Sequence, residues 1–414
     1  MPRSDAVVIT GYETLNCLGQ DRASFARRLL AGESGIARSP RLEAEGLAFP
    51  VGEITGFAPA EHFGKEIELL DRGVQLAMVC AGRALAMAGL EPIGRFYDAV
   101  RVGVITGSGM PGIESQERAL RQLYGEKASR LHPFSIPRAM ANAASSQISM
   151  GWGARGACFT VSSACASSAH ALGEAWRYLR AGDLDLVLAG GTDAPLSRGV
   201  LKAWEGMRVL APAGENPAAA CRPFSADRAG MVIAEGAAMF VLERAAAAQA
   251  RGATILAELA GYGASADAGH ITQPSAQGAA QAMRQALQRA GLKPEEVDYI
   301  NAHGTATRLN DATEIAAIRQ ALGPAAEKVS ISSTKSMHGH AMGASGAIEL
   351  AAVLAALAAQ QAPPTAHYTT PDPECDLDVT PNRARPRELR AALSNSFAFG
   401  GLNAVLAIRQ WAAH

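Results

Sequence analysis

The sequence predicts an α/β fold of two comparable halves, with mostly parallel sheets covered by helices. Runs of β-branched residues alternate with stretches of helical periodicity along the whole chain, the pattern of parallel strands joined by crossover helices. A comparable order restarts after residue 250. Of the 414 residues, 48% are hydrophobic but only 5% aromatic, and 42 are glycine. Small side chains on that scale suit close packing of helix on sheet.

Taken in order, residues 7–10 open the chain as a strand, and 21–32 read as a helix stopped by Gly32. Residues 71–88 carry apolar side chains at helical spacing, and 102–107 form a buried strand running into a glycine-rich loop. A β-like run over 158–162 turns into a helix over 167–180, followed by strands at 184–189 and 239–242 and a further helix. The second half repeats the theme. Strands at 255–259, 297–300 and 329–332 alternate with helices over 278–290, 311–322 and 344–361. A proline-containing loop over 363–373 leads to the last strands, 392–397 and 402–408. The two halves, 1–250 and 251–414, read as a structural duplication.

Composition narrows the function. A net charge of −1 offers no basic stripe for nucleic acid. The start of the chain lacks a basic-then-apolar leader, and the longest strongly apolar run, 350–359, falls short of the roughly 20 residues that span a bilayer. A cytoplasmic protein with no membrane contact is expected. Six cysteines without CxxC pairing indicate reduced thiols and no zinc ribbon. The glycine-rich segments lack the spacings of nucleotide-binding loops.

Cys165 stands out by context. It lies in Val161-Ser-Ser-Ala-Cys165-Ala-Ser-Ser-Ala-His170, where a strand passes into a helix of small residues. Unpaired amides and the helix dipole there are expected to favour the thiolate, and the small neighbours allow a ligand close to the backbone. Two glycine-flanked histidine segments follow, Asn301-Ala-His303-Gly-Thr-Ala-Thr307 and Lys335-Ser-Met-His-Gly-His340. His303 follows a strand, where catalytic groups gather in α/β proteins. Of His338 and His340, two residues apart, one is expected to face the site and the other to support its loop. Thr305 and Thr307 either line a polar channel or cap the next helix. Lys335 either holds a carboxylate and tunes the histidines or is solvated. No carboxylate or third ligand stands at metal-site spacing, so no metal is expected.

With these blocks in this order, the whole chain resembles a β-ketoacyl-acyl carrier protein synthase of the elongating type (ketoacyl synthase I/II), in the thiolase superfamily. The match runs from Val8-Ile-Thr-Gly11 to Asn395-Ser-Phe-Ala-Phe-Gly-Gly-Leu-Asn403. The resemblance implies two duplicated βαβαβ halves in a five-layered αβαβα, thiolase-like architecture, and a homodimer, with a heterodimer of related subunits as the other arrangement. It implies Cys165 as nucleophile, His303 and His340 as the catalytic histidine pair, Lys335 and Glu314 as supporting charges, and Phe399 as a gate. The implied reaction is decarboxylative condensation of an acyl-Cys165 thioester with malonyl-acyl carrier protein, in fatty acid elongation. The substrates ride on the carrier's phosphopantetheine, and no other cofactor is implied. Backbone amides of Cys165 and Phe399 would form the oxyanion hole.

The chain departs from the family pattern in three places. The gate usually reads Phe-Gly-Phe-Gly-Gly-Thr/His-Asn, whereas here Ala398 replaces the first glycine and Leu402 the polar residue; a positive φ at 398 would strain the loop by about 1 kcal/mol. Met110 stands where the family limits acyl length, and with Trp204 and Met231 it either reshapes the acyl pocket or merely packs the core; Phe397 and Ala398 complete the expected lining. The carrier-docking region is weakly basic. Lys65 and Arg72 sit among Glu66, Glu68 and Asp71, with Lys127, Arg130 and Arg208 supplying further charge. These departures admit a specialised type II polyketide or aryl polyene synthase with the same chemistry. A non-catalytic chain-length factor would lack the nucleophile that this chain keeps. A degradative thiolase would carry a second cysteine between 395 and 403, where there is none, and the surroundings of Cys165 match no papain-like protease.

Overall fold

The computed structural model describes residues 5–411 apart from 59 and 213; the side chains of 62, 66 and 68, and so the expected docking neighbours Glu66 and Glu68, lie outside the described residues. The first half contains strand β1 (Val7–Asn16), helices α1 (Arg22–Ala31) and α2 (Arg72–Ala88), strand β2 (Val102–Gly107), helix α3 (Ala143–Trp152) and strand β3 (Cys158–Val161). Helix α4 (Ser167–Ala181), strand β4 (Leu186–Asp193), helix α5 (Arg198–Gly206) and strand β5 (Gly236–Arg244) complete it. The second half holds β6 (Ala257–Ala266), α6 (Ala276–Ala290), β7 (Tyr299–Asn301), α7 (Arg308–Leu322), β8 (Ser330–Ser332), α8 (Ser345–Ala359), β9 (Ala391–Ala398) and β10 (Leu402–Gln410).

Local chemistry sets the helix ends. Asp21 caps α1 by accepting from the amides of Ala23 and Ser24, and Gly32 ends it at φ 71°. Asp71 caps α2 through the amide of Gly73, and Gly89 ends it at φ 68°.

The ten strands form one sheet in the order β8-β7-β9-β10-β6-β1-β5-β4-β2-β3. Read outward from its centre, the sheet repeats one topology twice, joined where Val8 and Ile9 of β1 face Glu258 and Ala257. The expectation of mostly parallel strands is corrected here. Only the outer pairs (β2 with β3 and β4, β7 with β8 and β9) are parallel. The inner pairs are antiparallel. Strands β9 and β10 are joined by a tight hairpin, and so short a link permits no other direction.

Helices α2 and α3 cover the outer face of the first half, and α6 and α7 that of the second. Helices α4 and α8 lie between the halves and touch both. The result is the five-layered α/β arrangement of the thiolase-like fold. Helix α8 explains the apolar run near 350–359: every residue from Ser345 to Leu357 is buried, and each leucine so buried contributes about 1.5–3 kcal/mol. The same packing presents the start of α4 and the loops after β7 and β8 to one cleft.

Candidate active site

Cys165 sits two residues before the first residue of α4, in a turn whose Ala164 has a left-handed φ of 49°. A Cβ in that region costs on the order of 1–3 kcal/mol and persists only where neighbours hold it. The helix start lies hard against β2: a Cβ on Gly107 would come within 2.3 Å of the Ser168 amide nitrogen. Glycine is required there by contact.

The expected thiolate is not what the structure favours. Burial pushes the Cys165 thiol up to about 11; Lys335 pulls it down, the Asp193 carboxylate opposes that, and the amides of Cys165 and Phe399 give a smaller pull downward. Desolvation of the buried sulfur outweighs these downward pulls. The two amides that act on the sulfur are the pair that the resemblance assigns to the oxyanion hole of its thioester.

His303 and His340 meet with ring centroids 5.4 Å apart and planes at 87°. Burial holds both imidazoles well below the usual histidine range, and the Lys335 cation reinforces it. Lys335 Nζ lies 3.3 Å from His303 Nδ1 and donates to the His303 carbonyl at 2.6 Å. An ammonium only donates, so His303 Nδ1 accepts and its proton is on Nε2. His340 Nδ1 is 2.7 Å from Ser345 Oγ, and its Nε2 has no protein partner. His338 points away, engaging the Gly339 carbonyl and Thr334 Oγ1. The division of labour expected of the pair is the one observed.

Glu314 supports the backbone instead of a ring. Its carboxylate accepts from the amides of His303 at 2.8 Å and Gly304 at 2.7 Å, and from Asn395 Nδ2 at 3.1 Å. Sequence reasoning missed Glu349, the fully buried partner of Lys335. It also missed Ser345 and Asp193. Asp193 accepts from Ser108 Oγ and the amides of Gly109, Met110 and Gly343, tying three segments together behind Cys165.

Cys165, His303 and His340 open into one cavity of about 640 Å³. Its wall includes Trp204, Met231, Thr305, Thr307, Phe397, Ala398 and Phe399, with Arg208 among its lining residues. Thr305 and Thr307 are linked through their hydroxyls at 2.9 Å; Thr307 also precedes α7, without a side-chain cap. Trp204 packs against Phe399 with the rings tilted by 37° and centroids 5.9 Å apart. Met110 is not in this wall. It packs in the apolar cluster of Leu201, Met231 and Met342.

Two further expectations are corrected. Arg72 is not free to dock a carrier: its guanidinium is bound to buried Glu235 at 2.6 and 2.7 Å and to the Ile54 carbonyl, and Asp71 is buried as the α2 cap. Lys65, Lys127, Arg130 and Arg208 are exposed. Ala398 carries no strain either. It closes β9 opposite Leu402, and the positive φ values fall on Gly400 (85°) and Gly401 (69°). Ala398→Gly is therefore expected to leave acyl transfer within about twofold at every chain length and to lower stability by about 0.5–1 kcal/mol. Gly401→Ala, whose Cβ would lie 2.6 Å from that of Asp267, should slow transfer. Acylation rates with graded donors and thermal unfolding check both.

The family model for the beta-ketoacyl synthase N-terminal domain matches residues 4–248, and that for the C-terminal domain matches residues 256–369. The chain belongs to the beta-ketoacyl synthase family. This ketosynthase is 47% identical to nodulation protein E of Rhizobium sp. (strain N33) over 98% of its own length and 99% of the relative's. It is 39% identical to 3-oxoacyl-[acyl-carrier-protein] synthase 2 of Staphylococcus aureus (strain N315), with both chains fully covered. It superimposes with a TM-score of 0.90, at 32% identity over 98% and 99% of the two chains, on a solved complex of a type II PKS acyl-carrier protein with its ketosynthase bound to the hexaketide.

Proposed function

We propose that this ketosynthase extends a Cys165-bound acyl chain by two carbons, using malonyl-acyl carrier protein. The observation that carries the reading is the convergence of Cys165, a His303 protonated on Nε2 and the unpartnered Nε2 of His340 on one cavity. In the first step the Cys165 sulfur attacks the acyl thioester, its proton passes to the departing carrier thiol, and the acyl group moves to Cys165. Malonyl-carrier protein then loses CO₂, and the electron pair of the broken bond becomes an enolate. Neutral imidazoles of His303 and His340, donating from Nε2, stabilise the enolate oxygen; Ser345 donating to His340 Nδ1 places that second proton. The enolate carbon attacks the acyl-Cys165 carbonyl, whose oxyanion the amides of Cys165 and Phe399 hold, and the sulfur leaves. No group beyond the carriers' phosphopantetheine is called for.

The partner is an acyl carrier protein, a reading supported by the complex named for the type II PKS relative, and the setting is cytoplasmic. A homodimer is the working assembly. The acyl chain itself belongs to fatty acid elongation or to a specialised pathway. The higher identity to nodulation protein E than to the synthase 2 relative favours the specialised pathway.

Intact-protein mass spectrometry decides both points. Acyl carriers graded in length and unsaturation should add their acyl mass to Cys165, and malonyl-carrier protein should then discharge it as a β-ketoacyl carrier two carbons longer. Failure of every donor to acylate Cys165 would overturn the proposal. Preference for ordinary saturated chains would return it to fatty acid elongation.

A further inference from the structure

We propose that Ser167 and His170 are positioning residues that lock the strained turn before Cys165 and so aim its sulfur and amide at the acyl thioester. The proposal deepens the condensing reading above and rests on it. Alanine does not adopt the left-handed conformation of Ala164 unaided, so something must hold it. A single hydroxyl does. Ser167 Oγ accepts the Ser163 amide at 2.9 Å and donates to the Ala164 carbonyl at 2.6 Å, bridging both sides of the strained residue.

His170, one turn into α4, adds a second tie. Its Nδ1 lies 2.8 Å from Ser163 Oγ and 3.1 Å from the Ala166 carbonyl. A carbonyl only accepts, so the proton is on Nδ1, and the hydroxyl shares it. Burial keeps this ring neutral by lowering its pKa. The ring stands edge-on to Tyr262 of β6, 6.2 Å between centroids, which anchors the turn to the other half of the molecule. Ser168 extends the same connection: its Oγ accepts the Ala347 amide at 2.9 Å, early in α8, the helix whose first residue, Ser345, engages His340. Nucleophile and His340 are thereby kept in register. Neither Ser167 nor His170 is in the cavity wall, so both act through the turn.

The two half-reactions separate this role from general structural support. Acyl transfer needs Cys165 aimed; decarboxylation of malonyl-carrier protein needs His303 and His340. Ser167→Ala, which keeps a helix-forming residue, should slow acyl transfer about 10²-fold, the scale of a misplaced reacting group, with KM for the acyl carrier and the decarboxylation rate unchanged. His170→Ala should show the same split more weakly, and His170→Asn, with an amide N–H for the imidazole N–H, should recover part of the rate. Unchanged acyl transfer, or equal loss of both half-reactions, would overturn the proposal; His170→Ala decides it should Ser167→Ala fail to fold. Alkylation of Cys165 by iodoacetamide at about pH 9, which needs no carrier, should slow at least about fivefold in Ser167→Ala as the aligned amide is lost from the thiolate. An unchanged alkylation rate sinks the positioning role. A wild-type chain that accepts no acyl donor sinks only the condensing reading.

Discussion

Cys165→Ala is expected to abolish condensation, by about 10⁴-fold or more, while decarboxylation of malonyl-carrier protein continues. Without the sulfur the acyl group never becomes covalent, and its carrier and the malonyl carrier must compete for one cavity of about 640 Å³. His303→Ala should do the opposite: Cys165 still accepts an acyl group, but decarboxylation falls 10²–10⁴-fold, the usual worth of a positioned donor at a developing oxyanion. Intact-mass measurement of acyl-Cys165 and release of labelled CO₂ read the two steps separately. The buried thiol adds a pH signature. With Cys165 pushed up to about 11, its alkylation in the wild-type chain should climb about tenfold per pH unit from 7 towards 10. A plateau near neutrality would show a thiolate held at rest, and the resting electrostatics would need revision.

That difference between thiolate and thiol marks what the sequence could and could not carry. Helix ends were legible because their chemistry is local: Asp21, Gly32 and Asp71 cap the helices they adjoin in the chain. The Cys, Asn-Ala-His-Gly-Thr and Lys-Ser-Met-His-Gly-His blocks were legible as motifs, and the fold brings all three to one cavity. Strand direction was not legible, since hydrophobic pattern is the same whichever way a neighbour runs. Nor was the backbone at 398. The family pattern shows a missing glycine, but only the hairpin register shows that Gly400 and Gly401 take the left-handed positions. Burial of Cys165 and commitment of Arg72 to Glu235 are tertiary facts with no signature in spacing. Glu349 did leave one: it is the single charged residue in a fifteen-residue helix otherwise built of apolar and small side chains. An isolated carboxylate in such a helix implies a buried cation, and Lys335 was the candidate.

Lys335→Met tests that pair and should be the most destabilising change at the site. Both members are fully buried, so removing the lysine leaves the Glu349 carboxylate without its cation, a loss of about 3–5 kcal/mol. Burial already lifts the Glu349 pKa to about 7 even though Lys335 draws it down. Without Lys335 the folded-state value rises further, while the unfolded value stays near 4.3. The native state then holds a proton that the unfolded chain releases. Both chains lose stability from about pH 4.3, but wild type levels off near pH 7 while the variant goes on falling, by up to about 1.4 kcal/mol per unit, until its own higher folded pKa is passed. Its deficit relative to wild type therefore widens above about pH 7. Urea unfolding at pH 6 and pH 8 should show the variant losing ground at the higher pH. The double variant Lys335→Met, Glu349→Leu removes both charges and should regain most of the stability, with that pH slope gone. Its condensation rate should stay about 10²-fold down, because His303 Nδ1 has lost the donor that fixes its proton on Nε2. Stability restored without activity would separate the two duties of Lys335; activity restored along with stability would reduce the lysine to a counterion.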